Sequence, residues 1–275
     1  MTVHRPGHDR SHEHQVSATT GDGPPTGAVS PAARRTWFVL GGIITAAVVV
    51  CGAVLAAAVL NGVPPPGHSS RFTGTHEGVP GTVLVDGSNA GVELTGAAVT
   101  GVTVDVDQSW YYSEPIVDTS RQDSDLFVDL SCSVAGIPVW FAPTCRIDYA
   151  ARVPASSGAH VELTDGAVTV RGLRGDADLR TTSGNVEMID MMSDTATAET
   201  TAGRISLEFT RVPSRVEAAS TAGAIEVRVP RGPAYRVVTE SSSGSVDVGV
   251  TTDPAAGSII DLSTTSGGIT VTYTD

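Results

Sequence analysis

An all-β fold is predicted, a single-stranded β-solenoid (β-helix) with rungs of about 20 residues, preceded by one transmembrane helix. Three observations predict it. One phrase returns six times, as Thr164-Asp165-Gly166, Thr182-Ser183-Gly184, Thr201-Ala202-Gly203, Thr221-Ala222-Gly223, Ser242-Ser243-Gly244 and Thr265-Ser266-Gly267, with glycines 18, 19, 20, 21 and 23 residues apart. Around each glycine the apolar residues alternate with period two and then change parity, which is two strands meeting at a corner. With 30 glycines and only 5% aromatic residues, the composition suits a repetitive β-structure better than a large aromatic core.

The rung follows from the repeat. Before the corner Ala177, Leu179 and Thr181 share one strand face; after it Val186 and Met188 share another, and Ile205 and Leu207, Ile225 and Val227, Val246 and Val248, and Ile269 and Val271 repeat the second half. Glycine at the corner is expected to supply positive φ at no steric cost. Turn residues such as Arg171-Gly172-Leu173-Arg174-Gly175 and Pro230-Arg231-Gly232-Pro233 close each rung. A single rung cannot bury its apolar face, so neighbours stack at about 4.8 Å and share a core. About eight to ten rungs are expected.

Ahead of the repeats the chain changes character three times. Residues 1–36 are polar, carry His4, His8, His12 and His14, and read as a disordered tail on the cytoplasmic side. Those spacings can chelate a metal, but no cysteine lies among them, so a solvated tail is the plainer reading. Residues 37–60 form 24 uncharged positions, enough for a transmembrane helix, although Ala56-Ala57-Ala58 would also suit a cleavage site. Arg34 and Arg35 precede that run and only Arg71 follows closely, which predicts a single-pass membrane protein with an extracytoplasmic C-terminal domain. Residues 61–80, with Pro64-Pro65-Pro66-Gly67, read as a linker.

The extracytoplasmic domain is expected over 81–275, with irregular early rungs and a cap over 81–154 and regular rungs over 155–275. Asn89-Ala90-Gly91-Val92 resembles the later phrase, and Trp110, Tyr111, Tyr112, Trp140 and Phe141 gather as a capping cluster or a binding platform. Cys132 and Cys145 flank a 12-residue segment outside the membrane, where a disulfide persists. All 17 basic residues are arginine, against 30 acids, so nucleic acid and anionic lipid are poor partners.

The anchor, the spacer and the serial Thr-Ser-Gly-x-Val-x-Val phrases resemble the bacterial putative adhesin family, known as domain of unknown function 4097. The resemblance covers roughly 83–273 and is strongest in Thr181–Met188, Thr200–Leu207, Ser220–Val227, Ser241–Val248 and Thr264–Val271. It implies a β-helical extracytoplasmic domain without catalytic residues. It carries over no site.

With the rungs in register on their glycines, Thr182, Thr201, Thr221, Ser242 and Thr265 form an outward hydroxyl column, the candidate ligand face. Arg180, Glu199, Ala219, Glu240 and Ser263 run beside it. Such a ladder can be purely structural, because threonine favours strands and stacks on itself, or it can bind sugar, carry glycosylation or order water. The inward companions Thr181, Thr200, Ser220, Ser241 and Thr264 suit a buried hydrogen-bonded ladder. A second outward column, Glu187, Ser206, Glu226, Asp247 and Thr270, makes Glu226 and Asp247 neighbours, a pair that could share calcium or cleave a glycan.

His68, His76 and His160 have no partner at metal or triad spacing, and no nucleophile elbow or phosphate loop occurs. The expectation is therefore a non-enzymatic envelope protein with no metal and no cofactor, its solenoid contacting cell-wall glycan or an envelope protein. Alternatives are a membrane-tethered sensory or regulatory partner and an extracellular polysaccharide-cleaving β-helix. The last rung, around 268–274, should leave an open edge that invites self-association.

Overall fold

The computed structural model describes residues 67–110, 114–132 and 145–274, together with Val49. Its strands are β1 (His68–Glu77), β2 (Thr82–Gly87), β3 (Ala90–Ala97), β4 (Gly101–Trp110), β5 (Ile116–Gln122), β6 (Asp125–Ser131), β7 (Arg146–Pro154), β8 (Gly158–Asp165), β9 (Val168–Arg171) and β10 (Ala177–Ser183). They continue with β11 (Val186–Met191), β12 (Thr195–Ala202), β13 (Ile205–Phe209), β14 (Arg215–Ala222), β15 (Ile225–Val229), β16 (Arg236–Ser243), β17 (Val246–Val248), β18 (Ile259–Ser266) and β19 (Ile269–Tyr273). Ten strands form one sheet, in the order β1-β4-β7-β3-β9-β11-β13-β15-β19-β17, and nine form the other, in the order β16-β18-β14-β12-β10-β8-β2-β6-β5.

Each regular rung contributes one strand to each sheet and turns at its glycine. The rungs stack as β6/β7, β2/β3, β8/β9, β10/β11, β12/β13, β14/β15, β18/β19 and β16/β17, all in parallel register. The parity change has the predicted consequence. Ala177 and Leu179 before the corner and Val186 and Met188 after it are buried in one apolar core, and Thr181 is buried on the same side.

Sequence order and stacking order part at both ends. The rungs were expected to stack in chain order, yet β18/β19 lies between β14/β15 and β16/β17, so the chain passes over one place and returns to fill it. The reason lies in the inward residues. β18 offers Ile260 and Leu262, both fully buried, whereas β16 offers Val237 and Thr239, which are only half-buried. A rung flanked on both sides gains most from large apolar groups. The open edge therefore belongs to β16 and β17, and not to residues 268–274.

The other end repeats the manoeuvre. From β3 the chain passes over the place of β7 into β4, crosses to β5, and comes back through β6 and β7. Here the outer strands reverse direction, since β4 pairs antiparallel with β7, β5 with β6 and β1 with β4. Residues 68–77, assigned to the linker from the sequence, are strand β1, paired with β4 over its whole length. That strand has one large apolar residue, Phe72, and is held by ladder hydrogen bonds and by the Arg71–Asp107 ion pair, so no apolar alternation announces it.

Among the described residues no helix is long and apolar enough to cross a membrane. The membrane span predicted over 37–60 lies outside them apart from Val49, as do the tail 1–36, the first part of the linker and Tyr111, Tyr112, Trp140 and Phe141. Of the predicted aromatic cluster, Trp110 is described, and it stacks on His68 with ring centroids 5.9 Å apart.

Candidate ligand face

The corner sets the geometry of the face. A Cβ on Gly184, Gly203, Gly223, Gly267 or Gly244 would lie 1.8 to 2.1 Å from the carbonyl oxygen of the corner glycine in the preceding rung of the stack. Close backbone approach, more than φ, is what requires glycine. Of these five corners only Gly267 has positive φ, at 157°. In the rung β2/β3 the corner position belongs to Ala90, one residue earlier than the Asn89-Ala90-Gly91 phrase suggests, because Val92 pairs with Val168. The neighbour of Ala90 in the preceding rung, β6/β7, is Ile147 of β7. The ends of β6 and β7 are bridged by the Cys132–Cys145 disulfide, with Cα atoms 5.9 Å apart.

Just before the corner an inner row of hydroxyls donates to those same carbonyls. Thr181 Oγ1 reaches Gly166 O at 3.2 Å, Thr200 reaches Gly184 O at 3.0 Å, Ser220 reaches Gly203 O at 3.3 Å, Thr264 reaches Gly223 O at 3.2 Å and Ser241 reaches Gly267 O at 3.1 Å. The hydrogen bonds track the spatial order of the rungs. Each satisfies an otherwise crowded backbone acceptor, worth about 1 kcal/mol.

The outward neighbours Thr182, Thr201, Thr221, Thr265 and Ser242 are all exposed and stand in that spatial order, so the last two are exchanged relative to the chain. They border a groove of about 570 Å³ whose other side is the companion column, in the order Glu162, Arg180, Glu199, Ala219, Ser263 and Glu240. Glu162 and Glu240 stand at its two ends, Arg180 and Glu199 follow Glu162, and the small residues Ala219 and Ser263 lie between Glu199 and Glu240. Arg180 is engaged, lying 3.1 Å from Asp178 and 3.5 Å from Glu199. The groove thus presents hydroxyls and acids with little apolar surface, which fits a polyhydroxylated or hydrogen-bond-rich ligand better than an apolar one.

Further along the same face the register sets Asp118 opposite Asp129, Asp129 beside Asp86, and Asp86 beside Glu162. Among the described residues none of these four forms an ion pair. Like charges on neighbouring strands repel, so this row weakens the sheet slightly and makes the face acidic. The sequence conceals the row, since its members come from four strands. His160 also acquires a partner, Asp178 Oδ2 at 3.2 Å, one rung and 18 residues away.

The second outward column is rearranged. Glu226 and Asp247 are not neighbours, because Thr270 of β19 stands between them. Glu226 is bound by Arg228 at 2.6 Å, and Arg228 also lies 3.7 Å from Glu208. The intervening strand sets the two about 9.6 Å apart along the sheet, so they do not form the adjacent carboxylate pair on which a shared calcium depends. Among the described residues no group of three or more His, Cys, Asp or Glu is placed to hold a metal ion.

Residues 151–272 match the family model described as Toastrack DUF4097, so the family resemblance drawn from the repeats holds over that span. Among curated proteins none matches the sequence. Among solved structures, a putative cell adhesion protein from Clostridium sporogenes is similar at 11% identity and a TM-score of 0.49, covering 75% of this chain and 100% of its own. A putative adhesin from Bacteroides fragilis aligns at 13% identity and a TM-score of 0.36 over 74% of this chain and 97% of its own. Another putative adhesin, from Parabacteroides distasonis, aligns at 13% identity and a TM-score of 0.32 over 76% of this chain and 97% of its own.

Proposed function

We propose that the Toastrack solenoid of this chain is a non-catalytic surface-interaction module, displayed outside the cell by a single helix over 37–60, whose hydroxyl groove contacts a neutral glycan of the cell wall. The observation that carries it is the outward row Thr182, Thr201, Thr221, Thr265 and Ser242 bordering the 570 Å³ groove. Regularly spaced hydroxyls exchange hydrogen bonds with sugar hydroxyls, and the carboxylates Glu162, Glu199 and Glu240 accept from vicinal diols. The acidic row Asp118, Asp129, Asp86 and Glu162 disfavours anionic polymers. Support for display outside the cell comes from the 24 uncharged residues and the Arg34-Arg35 flank.

The test is sedimentation of the protein with insoluble wall material from which charged polymers have been removed, alongside a variant carrying Thr201→Lys, Thr221→Lys and Thr265→Lys. These three positions are adjacent in space and exposed, so the fold should tolerate them. Saturable pelleting lost in the variant supports the groove. Wild-type protein that stays in the supernatant rules out wall glycan as the ligand.

A further inference from the structure

We infer that the outward face of β5, β6, β2 and β8 is a docking site for an extended polypeptide segment of another protein, basic at positions i, i+2 and i+4 and apolar at i+1 and i+3. An apolar pair stands on the water side of this sheet. Leu84 lies between the buried Val83 and Val85, and Phe127 between the buried Leu126 and Val128, so both point away from the core and are half-buried. The register sets them side by side. Farther along the stack the same row holds His160, Asp178, Thr197, Glu217 and Asp261, all polar. Two large apolar groups in a row that is otherwise polar add nothing to the core, and they suit a contact surface.

Beside that pair, one same-face step of about 7 Å along each strand, runs the acidic row Asp118, Asp129, Asp86 and Glu162. The two rows border a groove of about 430 Å³. All four acids are exposed. They are strung over three strand spacings, about 14 Å, and among the described residues no three acids converge to hold a metal ion. A line of separated carboxylates matches a line of separated cations better than a single ion.

The spacing then fixes the partner. An extended chain laid across the strands turns its side chains alternately to the two rows, and its residues i and i+4 stand about 14 Å apart, the length of the acidic row. Every second side chain meets the carboxylates, where charge complementarity selects lysine or arginine. The side chains between them meet Phe127 and Leu84, where an aliphatic group packs. This chain does not supply the segment itself, since it has no lysine and no two of its 17 arginines are two residues apart. The site shares only Glu162 with the hydroxyl groove, so it stands whether or not that groove binds glycan.

The test is fluorescence anisotropy of labelled peptides on the full-length chain in neutral detergent. The probe is a capped Lys-Leu-Lys-Leu-Lys peptide, compared with Leu-Leu-Lys-Lys-Lys of the same composition and charge. The alternating peptide should bind saturably and about tenfold tighter than the reordered one. Asp86→Asn with Asp129→Asn should weaken it about tenfold and leave the fold intact, because a like-charge contact is removed. Phe127→Ser and Leu84→Ser should each bring it close to the affinity of the reordered peptide. Asp261→Asn, an acid exposed on the same sheet outside the groove, should leave binding unchanged. A folded chain that does not bind the alternating peptide overturns the inference. So does equal binding of the two peptides, or an affinity unchanged in Asp86→Asn with Asp129→Asn.

Discussion

The two ends of the solenoid are built by the same move and finished differently. At each end the chain passes over one rung place, lays down an outer pair of strands, and returns to fill the gap. At the end bearing β4, β5 and β1 the outer strands run antiparallel, and at the other end β16 and β17 stay parallel to the stack. Reversal is what a cap consists of here. Strands entering through short connections, such as the one from β5 to β6 with Asp123 at φ 54°, cannot continue the two-sheet rung, so the stack ends. The parallel end keeps the direction of the stack, and the segment 251–253 lies along its outer side at Tyr235, whose N–H donates to Thr251 O and whose C=O accepts from Asp253 N–H, both at 3.0 Å.

The sharpest way to break this comparison is at the corners. In Gly203→Ala the new Cβ lies 1.9 Å from Gly184 O, and the rung is held from both sides, so a loss of about 3 kcal/mol or more is expected. Gly244→Ala meets Gly267 O at the same 1.9 Å, yet its rung can move outward, and a loss of about 1 kcal/mol is expected. Chemical denaturation measures both. Equal losses would mean that the outer rung is as tightly fixed as an inner one.

The filling rung offers the next largest contrast. Leu262→Ala removes a fully buried side chain from β18 and should cost about 3 kcal/mol, whereas Val237→Ala in half-buried β16 should cost under about 1 kcal/mol. If the two variants melt together, the rung order of this end is wrong. At the capped end, Cys132→Ser with Cys145→Ser should cost roughly 2 to 4 kcal/mol on the chain-entropy account, lost equally when the wild type is reduced. A thermal melt indifferent to reductant would show that the antiparallel strands close this end unaided.

The smallest effect concerns Tyr149 of β7, the filling rung of the capped end. Burial pushes its phenol well above the ordinary value, and its hydroxyl has no partner among the described residues. A raised folded pKa leaves the stability intact below the ordinary phenol value of about 10 and removes it as pH rises further, because only the unfolded chain ionises. Tyr149→Phe should be within about 1 kcal/mol of wild type at pH 7 and lose about 1 kcal/mol less per pH unit above pH 10. Parallel alkaline denaturation curves would show that Tyr149 already reaches water.

Much of this was legible in the residues. The Thr-x-Gly corners, the parity change and the outward exposure of Thr182, Thr201, Thr221, Thr265 and Ser242 follow from period-two alternation, which is a local property. Rung order was not, because the halves Val246-Asp247-Val248 and Ile269-Thr270-Val271 read almost alike. Two signals do distinguish them. The inward residues of β16 are smaller and more polar than those of β18, and the spacing of 23 between Gly244 and Gly267 is the longest, as a returning connection requires. Strand β1 and the acidic row Asp118, Asp129, Asp86 and Glu162 escape the sequence, since one is held by ladder bonds and the other assembled across strands far apart in the chain.

The sequence by itself determined the fold type and which side of each strand faces water, because alternation and glycine punctuation act within one rung. Only the tertiary structure decided which rung neighbours which, and hence that Glu226 and Asp247 are parted, that the acids of four strands line up, and that the open edge is β16. The physical reason is that one rung's backbone edge accepts any other rung of similar width. The choice between them rests on how much apolar surface each buries when flanked on both sides, a property of the assembled stack.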